Sequence, residues 1–147
     1  MKLTREGTRD AISLVSRILL VLLFLVFGWQ KLTGYGATTD YFQQLGLPLP
    51  AVATGVAVIV ELIFGVAVVL GLFTRPLAVV LALYTLATAL IGHQFWDMSG
   101  AEHFENEINF FKNVSIAAGF LELYVMGPGK WSFDERCRVG ASWNPIV

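Results

Sequence analysis

The sequence predicts an all-α fold, an integral membrane four-helix bundle with short loops. The first observation is composition: 56% of the 147 residues are hydrophobic and 14% are charged, whereas soluble domains carry about 25% charged residues. The second is the presence of four apolar windows of the length that crosses a bilayer, about 20 residues each. The third is the distribution of Lys and Arg, which separates the segments outside the windows into those with basic residues and those without.

The length predicts a single domain covering residues 1–147. Its four predicted spans lie at about 11–32, 51–73, 77–96 and 108–126. Arg75 and Pro76 predict a tight turn between the second span and the third. Gly127-Pro128-Gly129 predicts the end of the fourth.

The segment between the first two spans predicts an additional short element. Glycine- and proline-containing breaks at 34–36 and 46–50 bracket it, which leaves room for a short interfacial helix. Tyr35, Tyr41 and Phe42 are suited to the headgroup zone of a bilayer.

Basic residues predict the orientation. They occur in both tails and at the turn between spans two and three: Lys2, Arg5, Arg9, Arg75, Lys130, Arg136 and Arg138. The loops at 33–50 and 97–107 contain no Lys or Arg. The positive-inside rule therefore predicts that both termini and Arg75 face the cytoplasm.

Composition also argues against several functions. A formal net charge of −1 gives no basic patch for nucleic acid. Cys137 is the single cysteine, so the chain has no cysteine pair for an internal disulfide or for thiol–disulfide exchange. The basic N-terminus resembles a signal peptide, but its apolar run is too long and lacks a cleavage site, so we interpret it as a retained first span.

Ionisable residues inside predicted spans point to functional sites, because each costs about 2.5–3.5 kcal/mol to insert. Glu61 falls near the midplane of the second span. Arg17 and Glu122 fall at similar depth on the cytoplasmic side and predict a structural ion pair. An outer cluster is predicted around a cavity open to the outer face: Gln30, Lys31, Glu61, His93, Lys112 and Asn113.

Structural alternatives apply to most of these residues. Lys31 and Arg17 lie near span ends, where a long side chain can reach the headgroups. Glu61 is either an ion-paired strut, with Lys112 as one candidate partner, or a ligand or proton group. His93 more often serves as a hydrogen-bonding group at a bundle end than as a ligand. No standard metal-ligand spacing occurs, and we expect neither metal nor haem.

Several separated motifs follow one order over about residues 16–134: Arg17, GWQKLTGY from Gly28, Glu61 with Gly65, LGLFTRPLA from Leu70, His93, FFKN from Phe110 and GPGKWSFD from Gly127. Together they resemble the DoxX family. The resemblance implies a bacterial inner-membrane protein with four helices and cytoplasmic termini. It also implies a shared site at Arg17, Lys31, Glu61, Arg75, His93, Lys112 and Asn113.

Family members are described as oxidoreductase or quinol oxidase subunits. The resemblance therefore implies a subunit of a quinone-linked oxidoreductase, with a quinone-like ligand at Lys31, Glu61, His93, Lys112 and Asn113. Electrons would come from a redox partner protein, and a homo-oligomer is compatible with the pattern. The residues alone also fit a non-enzymatic membrane scaffold or accessory subunit, and less well a small transporter or proton path.

Overall fold

The computed structural model describes the backbone of residues 2–142 and the side chains of residues 7–137. The side chains of Lys2, Arg5 and Arg138, which contribute to the predicted orientation, lie outside that range. Within the described backbone every regular element is a helix or a helical turn. This confirms the predicted all-α class.

The helices follow one another along the chain with short connections. They are α1 (Lys2–Thr33), α2 (Tyr35–Gln44), α3 (Pro50–Val58), a π-helical turn (Ile59–Phe64), α4 (Gly65–Leu70), α5 (Thr74–Gly92), a 3-10 turn (Phe95–Asp97), α6 (Gly100–Met126) and α7 (Phe133–Ser142). Three continuous segments are long and apolar enough to cross a membrane: Gly7–Thr33, Pro50–Leu70 and Thr74–Asp97. We call them the first, second and third spans; the second comprises α3, the π-helical turn and α4.

The predicted fourth span corresponds to α6, which is present as a helix but does not meet the same criterion of apolarity. Its apolar half contains Lys112 and Glu122, which lower its mean hydropathy. The helix nevertheless runs antiparallel to α5 from one end of the bundle to the other. Asn106 near its start hydrogen-bonds His93 at the end of α5, and Gly127 after its end lies beside Arg75. A membrane crossing by α6 stays a prediction.

The turn between the second and third spans differs from the prediction. It lies at 71–73, where Gly71 and Phe73 have left-handed backbone angles, with φ of 72° and 48°. Arg75 and Pro76 belong to the first turn of α5, where proline is tolerated because no helical N–H is needed there. The Asp134 carboxylate accepts hydrogen bonds from the Phe73 and Thr74 amides, both at 2.8 Å, and so caps this helix.

Two other element boundaries refine the sequence prediction. A helix, α2, occupies the bracketed segment between the first two spans. The Tyr35 hydroxyl donates a hydrogen bond to the Ala51 carbonyl at the start of the second span. The start of α6, predicted near residue 108, is at Gly100. Hydropathy placed it too late, because the acidic residues before 108 are polar yet good helix formers.

A single apolar core joins the spans and α6. Phe24 of α1 and Phe120 of α6 meet edge to face, with ring centroids 5.4 Å apart. Small residues allow helices to approach closely, and Ala78 and Ala82 are almost completely buried. The outward surface is strongly apolar, as expected of helices that face lipid: examples are Leu19, Ile63, Leu83 and Val125.

Candidate functional site

Three ionisable side chains from three spans meet at Glu61. The Lys31 ammonium lies 2.8 Å from Glu61 Oε2, and the Tyr84 hydroxyl donates a hydrogen bond of 2.6 Å to Glu61 Oε1. Glu61 is only 5% exposed. We call Lys31, Glu61 and Tyr84 the carboxylate triad. Both carboxylate oxygens therefore have a donor, which satisfies a charge that would otherwise be very costly to bury.

Local structure brings Glu61 to this position. It lies in the π-helical turn at Ile59–Phe64, and such turns occur frequently at functional sites because they alter the direction of neighbouring side chains. Gly28 of α1 faces this turn. A Cβ atom at Gly28 would lie 2.8 Å from Glu61 Cβ and 2.9 Å from Leu62 Cγ, so only glycine allows α1 to approach this closely.

Lys31 turns toward the protein interior, contrary to the alternative in which it reaches the headgroups. Its ammonium lies 5.6 Å from the centroid of the Phe27 ring, which adds a cation–π contact to the ion pair. Its side chain is 22% exposed, against 7% for that of Glu61. Lys31 is thus the member of the ion pair that a ligand entering from the bilayer would meet first.

His93 does not join the triad. Its Nδ1 lies 3.1 Å from Asn106 Oδ1, in a pair that links α5 to the beginning of α6. His93 is nine residues beyond Tyr84, which is about 13 Å along the chain direction at about 1.5 Å per residue. The pair is the bundle-end hydrogen bond that the sequence offers as the alternative interpretation of His93.

Lys112 is also separate, and its suggested pairing with Glu61 is wrong. Lys112 is exposed and donates to Asn109 Oδ1 at 2.7 Å, one helical turn earlier. Glu61 is instead occupied by Lys31, which is on the adjacent α1. Asn113 is half-buried on α6. Of the predicted outer cluster, only Lys31 and Glu61 meet. His93 and Lys112 each pair elsewhere, and Gln30 is exposed on α1.

The predicted Arg17–Glu122 ion pair is likewise not formed. Arg17 is completely buried and donates to the carbonyls of Val69 at 3.0 Å and Trp131 at 2.6 Å. Val69 lies in the last turn of the second span, whose carbonyls lack helical partners. Arg17 satisfies these carbonyls, whereas Glu122 is exposed, and no ion pair joins the two within residues 7–137.

The sequence did not identify Tyr84 as part of the site. One signal was available, because a tyrosine in the middle of an apolar span needs a partner for its hydroxyl when it is buried. That partner could only be assigned once the neighbouring helices were placed. Apart from Glu61, the turn at Ile59–Phe64 is as apolar as the helix around it, so the sequence did not indicate its π-helical form.

These features define a polytopic helical membrane protein with a buried carboxylate between its spans. The model of the DoxX family matches residues 12–94, and the chain belongs to the DoxX family. It is 48% identical over 130 residues to Inner membrane protein YphA of Escherichia coli (strain K12), covering 88% of this chain and 93% of that protein.

Two further relatives extend this comparison. Inner membrane protein YqjF of the same E. coli strain is 39% identical over 124 residues, covering 82% of this chain and 88% of that protein. A Bacillus subtilis (strain 168) protein named "Putative oxidoreductase CatD" is 38% identical over 79 residues, covering 54% of this chain and 57% of that protein. No solved structure matches the chain.

Proposed function

We propose that this DoxX-family chain is an inner-membrane subunit of a quinone-linked oxidoreductase, with its ligand site at the carboxylate triad. The observation that carries the proposal is the placement of Glu61, buried in a membrane span and hydrogen-bonded to both Lys31 and Tyr84. The names of the E. coli relatives support the inner membrane as its location. The name of the B. subtilis relative supports an oxidoreductase.

The triad offers the groups that a quinone needs. A quinone is an apolar ring whose carbonyl oxygens accept hydrogen bonds, so it suits an apolar wall with one or two convergent donors. The Lys31 ammonium has three N–H donors and gives one of them to Glu61. Phe27, one helical turn before Lys31 and partly exposed, supplies apolar surface beside it.

The same groups can handle the protons of the reaction. Reduction of a quinone to a quinol takes up two electrons and two protons. Glu61 lies within hydrogen-bond reach of both an ammonium and a phenol, which is the geometry of a group that exchanges protons. We assign the electrons to a partner redox protein. In this role the chain binds and orients the quinone or quinol, and the ionised Glu61 carboxylate accepts a proton when the quinol is oxidised and returns it when the quinone is reduced.

A direct binding titration tests the proposal. A short-chain ubiquinone analogue is titrated into the purified chain in detergent, and quenching of tryptophan fluorescence is followed, since Trp29 lies two residues before Lys31. We expect saturable quenching in the wild-type chain. In Lys31→Met the dissociation constant should rise at least about tenfold, because one charge-assisted hydrogen bond is lost. Lys112→Met, which removes an exposed ammonium outside the triad, is the matched control and should bind as wild type.

A scaffold or accessory role is the second candidate, and one observation favours it. Both oxygens of Glu61 already accept short hydrogen bonds, so the triad by itself ties three spans together without any ligand. A purely structural triad predicts non-saturable quenching in wild type and lowered stability in Glu61→Gln. Saturable, Lys31-dependent binding would exclude it as the whole function.

A further inference from the structure

A second polar site, separate from the carboxylate triad, is a cleft of about 940 Å³. The cleft lies at the end that carries Arg75, between α1 and α6, and the chain after Gly127 borders it. We call it the Arg75-end cleft. None of the triad residues lines it, so a ligand bound in this cleft would be independent of the proposed quinone site.

Two buried donors in this cleft lack acceptors. Among the described side chains of residues 7–137, Arg17 Nε and Thr74 Oγ1 have no hydrogen-bond partner, although both residues are completely buried and both line the cleft. The other nitrogens of Arg17 are already bonded to carbonyls. A buried donor left unpaired costs about 1–3 kcal/mol, so a bound acceptor that reached these atoms would remove a real penalty.

The cleft also presents one unpaired charge of each sign at its edge. Arg75 and Glu122 are exposed, and neither has a hydrogen bond or an ion pair with another residue in the described range 7–137. Two other lining carboxylates are engaged by backbone amides: Asp10 accepts from Lys130 N at 3.1 Å, and Asp134 caps α5.

The total charge of the lining indicates what kind of ligand fits. Four basic and four acidic side chains line the cleft: Arg9, Arg17, Arg75, Lys130, Asp10, Glu122, Asp134 and Glu135. A balanced lining disfavours a simple anion and suits a zwitterion. The apolar part of the lining includes Ile12, Leu20, Leu123 and Met126, which suits an acyl chain.

We propose that the Arg75-end cleft binds a zwitterionic phospholipid whose headgroup carries a primary ammonium, as in phosphatidylethanolamine. Its phosphate accepts from Arg75 and from the unpaired Arg17 and Thr74 donors, in the charge-assisted geometry that arginine favours. Its ammonium donates to Glu122. A quaternary choline headgroup has no N–H to donate, and the glycerol of phosphatidylglycerol offers Glu122 neutral hydroxyls in place of a cation.

Native mass spectrometry of the full chain tests this assignment. The protein in detergent is mixed with dioleoyl phosphatidylethanolamine, phosphatidylcholine or phosphatidylglycerol, and retained lipid is measured. We expect phosphatidylethanolamine to be retained about tenfold better than either of the others, the effect of one charge-assisted hydrogen bond. Equal or better retention of phosphatidylglycerol would overturn the proposal, because it would define a general anion site.

Exposed residues give variants that leave the core intact. Glu122→Gln should reduce retention of phosphatidylethanolamine to that of phosphatidylcholine, and Arg75→Gln should weaken both lipids. Glu105→Gln and Lys112→Gln, matched exposed charges outside the cleft, should change nothing. Unchanged lipid preference in Glu122→Gln would contradict the assigned role of its carboxylate.

A competition arm distinguishes a lipid from a soluble ligand with the same headgroup. Inorganic phosphate and soluble glycerophosphoethanolamine are added at millimolar concentration to the lipid-bound protein. We expect neither to displace the lipid, because they lack the acyl chain that the apolar lining contacts. Displacement by either would show that the cleft serves a soluble phosphate compound and would overturn the proposal.

Discussion

Lys31→Met is the substitution whose effect the structure defines best. It removes the ammonium 2.8 Å from Glu61 and leaves a carboxylate, 7% exposed, with Tyr84 as its remaining donor. At that separation the pair attracts by about 6 kcal/mol at an effective dielectric constant of about 20. The cost of removing both ions from water offsets part of this, and loss of one member of a buried pair typically costs about 3–5 kcal/mol. Because Lys31 is partly exposed, we expect the unfolding free energy to fall by about 3 kcal/mol.

A double-mutant cycle separates this charge effect from lost packing. Adding Glu61→Gln to Lys31→Met removes the stranded charge, so the double variant should be more stable than Lys31→Met alone by about 2 kcal/mol. Unfolding is followed by circular dichroism in mixed micelles with increasing SDS. Lys112→Met, at an exposed pair with Asn109, should lose less than about 1 kcal/mol. If the effects of Lys31→Met and Glu61→Gln on the unfolding free energy add within about 0.5 kcal/mol, the two residues are not coupled and the reasoning is refuted.

Three further predictions concern the same bundle and use the same unfolding assay. Tyr84→Phe should cost about 1–2 kcal/mol, less than Lys31→Met, because it removes a hydrogen bond and strands no charge; a loss above that of Lys31→Met would contradict this. Gly28→Ala should cost about 1–3 kcal/mol because its Cβ would lie 2.8 Å from another Cβ, whereas Gly36→Ala, which meets no atom within 4 Å, should be neutral or stabilising. Asp134→Ala should cost about 1 kcal/mol by removing the cap of α5, and an unchanged midpoint would show that the cap is dispensable.

Much of the fold could be predicted because membrane insertion depends on the length and apolarity of each segment, and both can be read directly from the sequence. The ends of the helices were predicted less accurately. Arg75 and Pro76 have the composition of a turn, yet the left-handed angles fall on Gly71 and Phe73, and Asp134 from far along the chain caps the helix. A cap supplied by a distant residue leaves no local sequence signal.

The candidate site was predictable in its residue types and not in its pairings. Burial of Glu61 in a span indicated that it needs a partner, but several cations were available within the membrane region. Which one it meets depends on helix rotation, and in the observed rotation Gly28 lets α1 pack directly against the π-helical turn. Arg17 shows the same limit, since its acceptors are backbone carbonyls that no side-chain pattern reveals.

The most direct test of a quinone site at the triad is mass spectrometry of small molecules extracted from the full chain, purified gently from a membrane. The control is the Lys31→Met/Glu61→Gln double variant, which lacks both charges of the triad and should remain folded. We predict that a quinone co-purifies with the wild-type chain and is absent from the double variant. Equal quinone in both proteins, or none in wild type after addition of excess ubiquinone, would contradict a quinone site at the triad.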